Sequence, residues 1–295
     1  MQVTPELREF LFRYDQPAPL HVADREHEQL GAVVRERLSY ASINEARVPA
    51  ILTYGPETPT PRPVLIIQHG LNSSKDDTRL ADLAAAWAPF GFAILTVDAP
   101  LHGERATGDL DLMSLLSQPY TGLRFVIQTV VDLRRAVDLA EARPDLDPKR
   151  VAYVGFSMST FLGVQFVALE PRIRAACLAL GGAGLFHFFS ARAPVTDGRA
   201  DLDLIASIVD PLHFAALIAP RPVLQVNSET DQIVPAALGH MLYGALQEPK
   251  RAIWFRGEHG AIPDDVIAEM RLFLHDALDP DRAAATPSPG PSPTA

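Results

Sequence analysis

The sequence predicts an α/β fold: a mostly parallel central sheet of about eight strands, with helices on both faces, an antiparallel N-terminal hairpin and a small cap made of long loops. Two observations predict it. From Val64 onward, short apolar runs (VLIIQ, FAILTV, VAYV, AACLAL, PVLQV, AIWF) alternate with stretches of helical period, the pattern of parallel strands covered by helices. Upstream, VVRERLSYAS and RVPAILTYG alternate polar and apolar residues on either side of Asn44, as antiparallel strands do across a turn.

Along the chain, the opening segment to about residue 20 reads as a short amphipathic helix ended by QPAP, where proline removes a donor. After the hairpin, PETPTPRP is an irregular loop. Helical spacing is clearest over 123–142, where Leu123, Val126, Ile127, Val130, Leu133, Val137 and Ala140 fall on one face and Pro144 follows. Further helices are predicted near 78–88, 158–169, 236–246 and 263–277. Arg134 and Arg135 read as part of a solvated helix face. Connections over 101–120 and 181–217 are too long for simple turns and mark cap insertions. The chain thus divides into a helical arm (1–30), a main domain (31–278) and a flexible proline-rich tail (279–295).

Composition narrows the function. With 47% apolar and 21% charged residues the chain can bury a large core, and a net charge of −10 offers nucleic acid little to bind. No stretch reads as a signal peptide or membrane span, which points to the cytoplasm as the expected location. Cys177, the single cysteine, sits in an apolar run and reads as a core thiol. The nine histidines show no paired metal-ligand spacing, so no metal and no other cofactor is expected. Oligomeric state leaves no trace in the sequence.

The chemistry lies in four short stretches. VAYV runs into Gly155-Phe156-Ser157-Met158-Ser159 and a helical pattern starts at once; a tight strand-to-helix turn exposes a serine oxygen beside backbone donors. Ser159 stands where glycine is more usual, tolerated because serine is small. Next, QHGLN ends the first parallel strand, and the backbone amides of Leu71 and Met158 are the expected oxyanion donors, with His69 shaping the turn. Asp231 in VNSETDQIVP follows a strand and suits a carboxylate that orients an imidazole, or else a helix cap; Asp210 is the next candidate acid. His259 in GEHG follows the last strand. The order Ser157, Asp231, His259 is the nucleophile, acid, base order of such hydrolases. His102 is expected to shape its loop beside the pocket, while Phe186 and Phe189 either line the pocket or pack the cap.

With QHGLN, DAPLHGER (Asp98 to Arg105), GFSMS, IAPRPVLQVNSETDQIVP and GEHG in place, the chain resembles the α/β-hydrolase superfamily, and within it the bacterial carboxylesterase and dienelactone-hydrolase-like branch, over about residues 47–278. That resemblance implies a cofactor-free serine esterase acting on a small-molecule ester through an acyl-enzyme. A serine rather than a cysteine at position 157 sets it apart from dienelactone hydrolase proper. A peptidase or acyltransferase of the same fold, and a non-catalytic binding protein, are the alternative readings.

Overall fold

Upstream alternation and downstream apolar runs come together in one sheet. The computed structural model describes residues 4–108, 118–184 and 199–279. Its strands are β1 (Ala23–Leu30), β2 (Val33–Ala41), β3 (Arg47–Tyr54), β4 (Arg62–Gln68), β5 (Ala93–Val97), β6 (Leu146–Phe156), β7 (Ile173–Ala179), β8 (Val223–Ser228) and β9 (Lys250–Phe255). Among the described residues the helices are α1 (Pro5–Leu11), α2 (Thr78–Trp87), α3 (Pro119–Ala142), α4 (Met158–Leu169), α5 (Arg199–Val209), α6 (Ala236–Ala245) and α7 (Asp264–Leu278).

Spatial order is β1-β2-β3-β5-β4-β6-β7-β8-β9. The pairs β1–β2, β2–β3 and β3–β5 are antiparallel and every other pair is parallel. Asn44 and Glu45 make the β2–β3 turn, with φ of 55° and 56°. From β4 the chain moves to β5 on one side and then returns to β6 on the other. Such a switch opens a crevice beyond the C-terminal ends of the strands, because the loops leaving β4 and β6 diverge there.

The inner parallel strands β4 to β8 bury both faces, whereas β9 at the edge is only partly buried. Val64 and Ile66 of β4, with Val151 and Tyr153 of β6, pack into the cluster that holds Val130, Leu133 and Val137 of α3. Leu65, Ile67, Ala152 and Val154 point the other way, onto Leu80 and Trp87 of α2 and Met270 and Leu274 of α7. The period-2 geometry of a strand thus turns one apolar run into two cores. Cys177 lies in the second core, where burial pushes its thiol pKa up and keeps it un-ionised.

Three expectations change on meeting the structure. The helix expected over the first twenty residues ends at Leu11; beyond it the chain turns at residues 15–18, where Arg135 holds the carbonyls of Gln16 (3.0 Å) and Ala18 (2.7 Å). Arg135 is therefore buried rather than solvated: its guanidinium also reaches Ala41 O and, at 2.8 Å, the Asp138 carboxylate. Residues 23–30, expected within the helical arm, form β1 and raise the strand number from about eight to nine. Its sequence, ADREHEQL, has no apolar alternation because this edge strand is solvent-exposed, and its charges discourage further pairing.

The α4–β6 packing yields a first prediction. A Cβ on Gly163 would lie 2.0 Å from the buried Tyr153 ring. Gly163→Ala gains about 1 kcal/mol of helix propensity but overpacks a site with no slack, at about 1–3 kcal/mol or more. The urea midpoint of the variant should fall below that of the wild type.

Candidate active site

Where β6 ends, Ser157 adopts φ 55° and ψ −115°, a conformation that costs an ordinary residue about 1–3 kcal/mol. Neighbours enforce it. Ser157 donates its amide to Ala179 O at the end of β7 (2.9 Å), and its own carbonyl accepts from Thr160 N (2.9 Å). The Thr160 hydroxyl lies within hydrogen-bonding distance of both Gly155 O (3.0 Å) and Ala179 O (2.6 Å). Position 155 must be glycine, since a Cβ there would sit 2.5 Å from Ser159 O. Met158 opens α4, so its amide has no acceptor inside the helix and faces outward with the positive end of the helix dipole.

Two distant stretches converge on the serine. His259 Nε2 lies 2.9 Å from Ser157 Oγ, and His259 Nδ1 lies 2.6 Å from Asp231 Oδ2. With Nδ1–H donating to the carboxylate, Nε2 is the free acceptor for the serine proton. The Asp231 side chain is only 2% exposed. Its other oxygen accepts from the amides of Ile233 (2.7 Å) and Val234 (2.9 Å), so Asp231 caps its own turn and holds the imidazole at once. The loops after β8 and β9 are cross-tied: Ser228 donates its hydroxyl to Gly257 O (2.6 Å), and Gly257 N donates to Thr230 Oγ1 (3.0 Å). Asp210 belongs elsewhere; one of its oxygens accepts from Gly184 N and Leu212 N.

Facing the serine is the turn after β4. A Cβ on Gly70 would lie 3.4 Å from Ser157 Cβ, so the turn backbone passes within contact of Ser157. His69 is buried and fully engaged: Nδ1–H donates to Gly70 O (2.7 Å), and Nε2 accepts from Ala99 N (3.1 Å). Gly70 O and Leu71 N belong to one trans peptide, whose C=O and N–H bonds point in opposite directions, so gripping the oxygen also aims the Leu71 amide. Burial pushes the His69 pKa down to about 4, and the nearby His102 ring acts the same way. His102 donates Nδ1–H to Pro100 O (2.8 Å), a bond within its own loop, and burial lowers its pKa too. Phe186 and Phe189 lie outside the described residues.

A buried ion cluster ties this turn to the loop after β5. Asp98 accepts from Lys75 N (2.8 Å), Lys75 Nζ (2.9 Å) and Glu104 N (3.0 Å), while Arg105 donates to Asp98 O and to Asp132. Gly103, with φ +54°, stands where a Cβ would collide with the Asp98 carboxyl. None of these polar partners is foreseeable from spacing alone, although Asp98, His102 and Arg105 sit together in the DAPLHGER stretch. Among the described residues no group of three or more His, Cys, Asp or Glu side chains could hold a metal, and no helix is long and apolar enough to cross a membrane.

No family model matches the chain. Esterase YjfP of Escherichia coli is 28% identical over 228 residues, covering 72% of this chain and 89% of that protein. A putative hydrolase of Bacillus subtilis, YtaP, is 24% identical over 251 residues, 78% of this chain and 82% of that one. Among solved structures, an acetyl xylan esterase from Paenibacillus sp. R4 superposes with a TM-score of 0.75 at 19% identity, over 92% of each chain. The chain has the α/β-hydrolase fold. A cold-adapted esterase from an Arctic intertidal metagenomic library shares the fold at a TM-score of 0.67 and 22% identity, over 86% of this chain and 98% of that one.

The buried groups around the 69–71 turn generate two predictions. Lys75→Met strands the Asp98 carboxylate without its cation and should cost on the order of 3 kcal/mol, read as a lowered unfolding midpoint in urea. For His69, the unfolded ring takes up a proton near pH 6.5 while the folded ring resists until about pH 4, so stability is lost as pH falls through that window. His69→Gln should flatten that stretch of the stability profile; an unchanged slope would contradict the burial of a neutral ring.

Proposed function

We propose that this chain is a serine carboxylesterase that cleaves small-molecule carboxylic esters. The observation that carries the reading is the continuous hydrogen-bonded line from Asp231 through His259 to Ser157 Oγ, with distances of 2.6 and 2.9 Å. Two neutral hydroxyl or imidazole groups would not need a carboxylate behind them. One that must become cationic during turnover does, because the carboxylate stabilises the imidazolium.

On this reading Ser157 Oγ attacks the ester carbonyl as His259 Nε2 takes its proton. The carbonyl π pair moves onto oxygen, where the Leu71 and Met158 amides receive it. His259 then protonates the departing alkoxide as the C–O bond breaks, leaving an acyl-enzyme and an alcohol. Water, deprotonated by His259, attacks the acyl carbon, and the returned proton releases Ser157 and the acid. The buried, neutral His69 takes no proton in this cycle and serves to aim the Leu71 amide. Esterase relatives by sequence and by fold support the same class of reaction.

Hydrolysis of p-nitrophenyl acetate tests the proposal. Ser157→Ala should abolish turnover and leave the circular-dichroism spectrum unchanged, and Asp231→Asn should lower kcat by about 10³–10⁴. Full activity in Ser157→Ala would remove the proposed nucleophile. Faster cleavage of amide than of ester analogues would transfer the chain to the peptidase reading.

A further inference from the structure

The esterase reading leaves one contact of the nucleophile turn unused. We propose that Ser159 is a positioning residue whose buried hydroxyl couples the two oxyanion donor segments to each other, and this inference rests on that reading. Ser159 Oγ donates to His69 O across 90 positions of sequence, and the residue is fully buried. Its own carbonyl accepts from Tyr153 Oη at 2.7 Å, so Ser159 is held on its backbone side while its side chain holds the turn.

Geometry assigns the consequence. The peptides on either side of Gly70 are each gripped by an acceptor contact: the His69 carbonyl by Ser159, and the Gly70 carbonyl by the His69 ring at 2.7 Å. Between them lies a glycine, the residue with the widest backbone freedom. Fixing both flanking peptides removes that freedom and sets where the Leu71 amide stands. Of the two grips, the one from Ser159 comes from the residue next to Met158, the other donor. It therefore fixes the separation of the two amides, whereas the His69 ring fixes only the tilt of one. A glycine at position 159 would fit the space and forgo the tie.

An oxyanion exists only in the transition state and the tetrahedral intermediate, so displacing one donor should lower kcat and spare KM. Complete removal of a donor costs about 10²–10³ in kcat; loosening one should cost on the order of 10-fold. The test compares wild type, Ser159→Ala, Ser159→Gly and Tyr153→Phe on p-nitrophenyl acetate and on a short aliphatic trifluoromethyl ketone. That ketone adds Ser157 Oγ to its carbonyl carbon, passes the serine proton to His259 and leaves an oxyanion. Both Ser159 variants should lose on the order of 10-fold in kcat at unchanged KM, with the ketone inhibition constant rising by the same factor. Tyr153→Phe, which removes the hydrogen bond to the Ser159 carbonyl but leaves the Ser159 hydroxyl on His69 O, should lose less than either Ser159 variant in both measures. The proposal is overturned if a folded Ser159→Ala retains wild-type kcat and ketone affinity, if its loss falls on KM, or if Tyr153→Phe loses as much. A wild-type enzyme inert to the ester overturns the esterase reading and the tie with it, whereas an active wild type with an unaffected Ser159→Ala overturns the tie alone.

Discussion

The positive-φ backbone of Ser157 is the constraint around which the other parts of the site are arranged. A single residue forced from a strand into a helix cannot hold that conformation by itself, because the strain of about 1–3 kcal/mol must be offset by its surroundings. Here the offset comes from the next strand, through Ala179 O, and from the first turn of α4, through Thr160. A bare glycine at 155 lets helix and strand approach closely enough for those bonds to form. Removing the strand switch at β4 would separate the 69–71 turn from the serine, so the order of strands is as much a part of the site as the side chains are.

Loops that carry such residues are held in pairs. The loops after β8 and β9 are stitched by Ser228, Thr230 and Gly257; those after β4 and β5 by Lys75 and Asp98; those after β4 and β6 by Ser159 and His69. Each tie is polar, and those of Lys75 with Asp98 and of Ser159 with His69 are buried, where a satisfied polar pair is directional and an unsatisfied one is costly. Apolar packing alone could not do this, since it fixes density and leaves register loosely set. The two cores on the faces of the sheet supply the bulk of the stability, and the polar ties at the strand ends supply the geometry.

This division explains what was legible in the sequence. Parallel strands β4 to β8 show because each buries both faces and so reads as an apolar run, the partly buried edge strand β9 shows through its shorter AIWF run, and α4 is placed to the residue because a strand-to-helix turn fixes its start. Ser157, Asp231 and His259 can be picked out because each follows a strand, where the chain order restricts the roles. β1 was invisible, since an exposed edge strand carries no hydrophobic period. Arg135 misleads for a related reason: its fate is decided by the carbonyls of residues 16, 18 and 41, which are brought to it only by the fold. Ser159 is the instructive case, because the pattern registers only that it is small, whereas its hydroxyl has a partner ninety residues away.

Histidine makes the same point from the side of charge. His69, His102 and His259 all lie around one end of the sheet, yet only His259 has a carboxylate on Nδ1 and a hydroxyl on Nε2. Both nitrogens of His69 are committed to backbone groups, and burial, outweighing the carboxylates of Asp98 and Asp77, keeps the ring neutral. A proton placed on it would find no counter-charge in direct contact and would break the bond from Ala99 N. The ring is therefore suited to holding a peptide and unsuited to shuttling protons. Residue type and proximity nominate three candidate bases; the partners of each ring nitrogen reduce them to one.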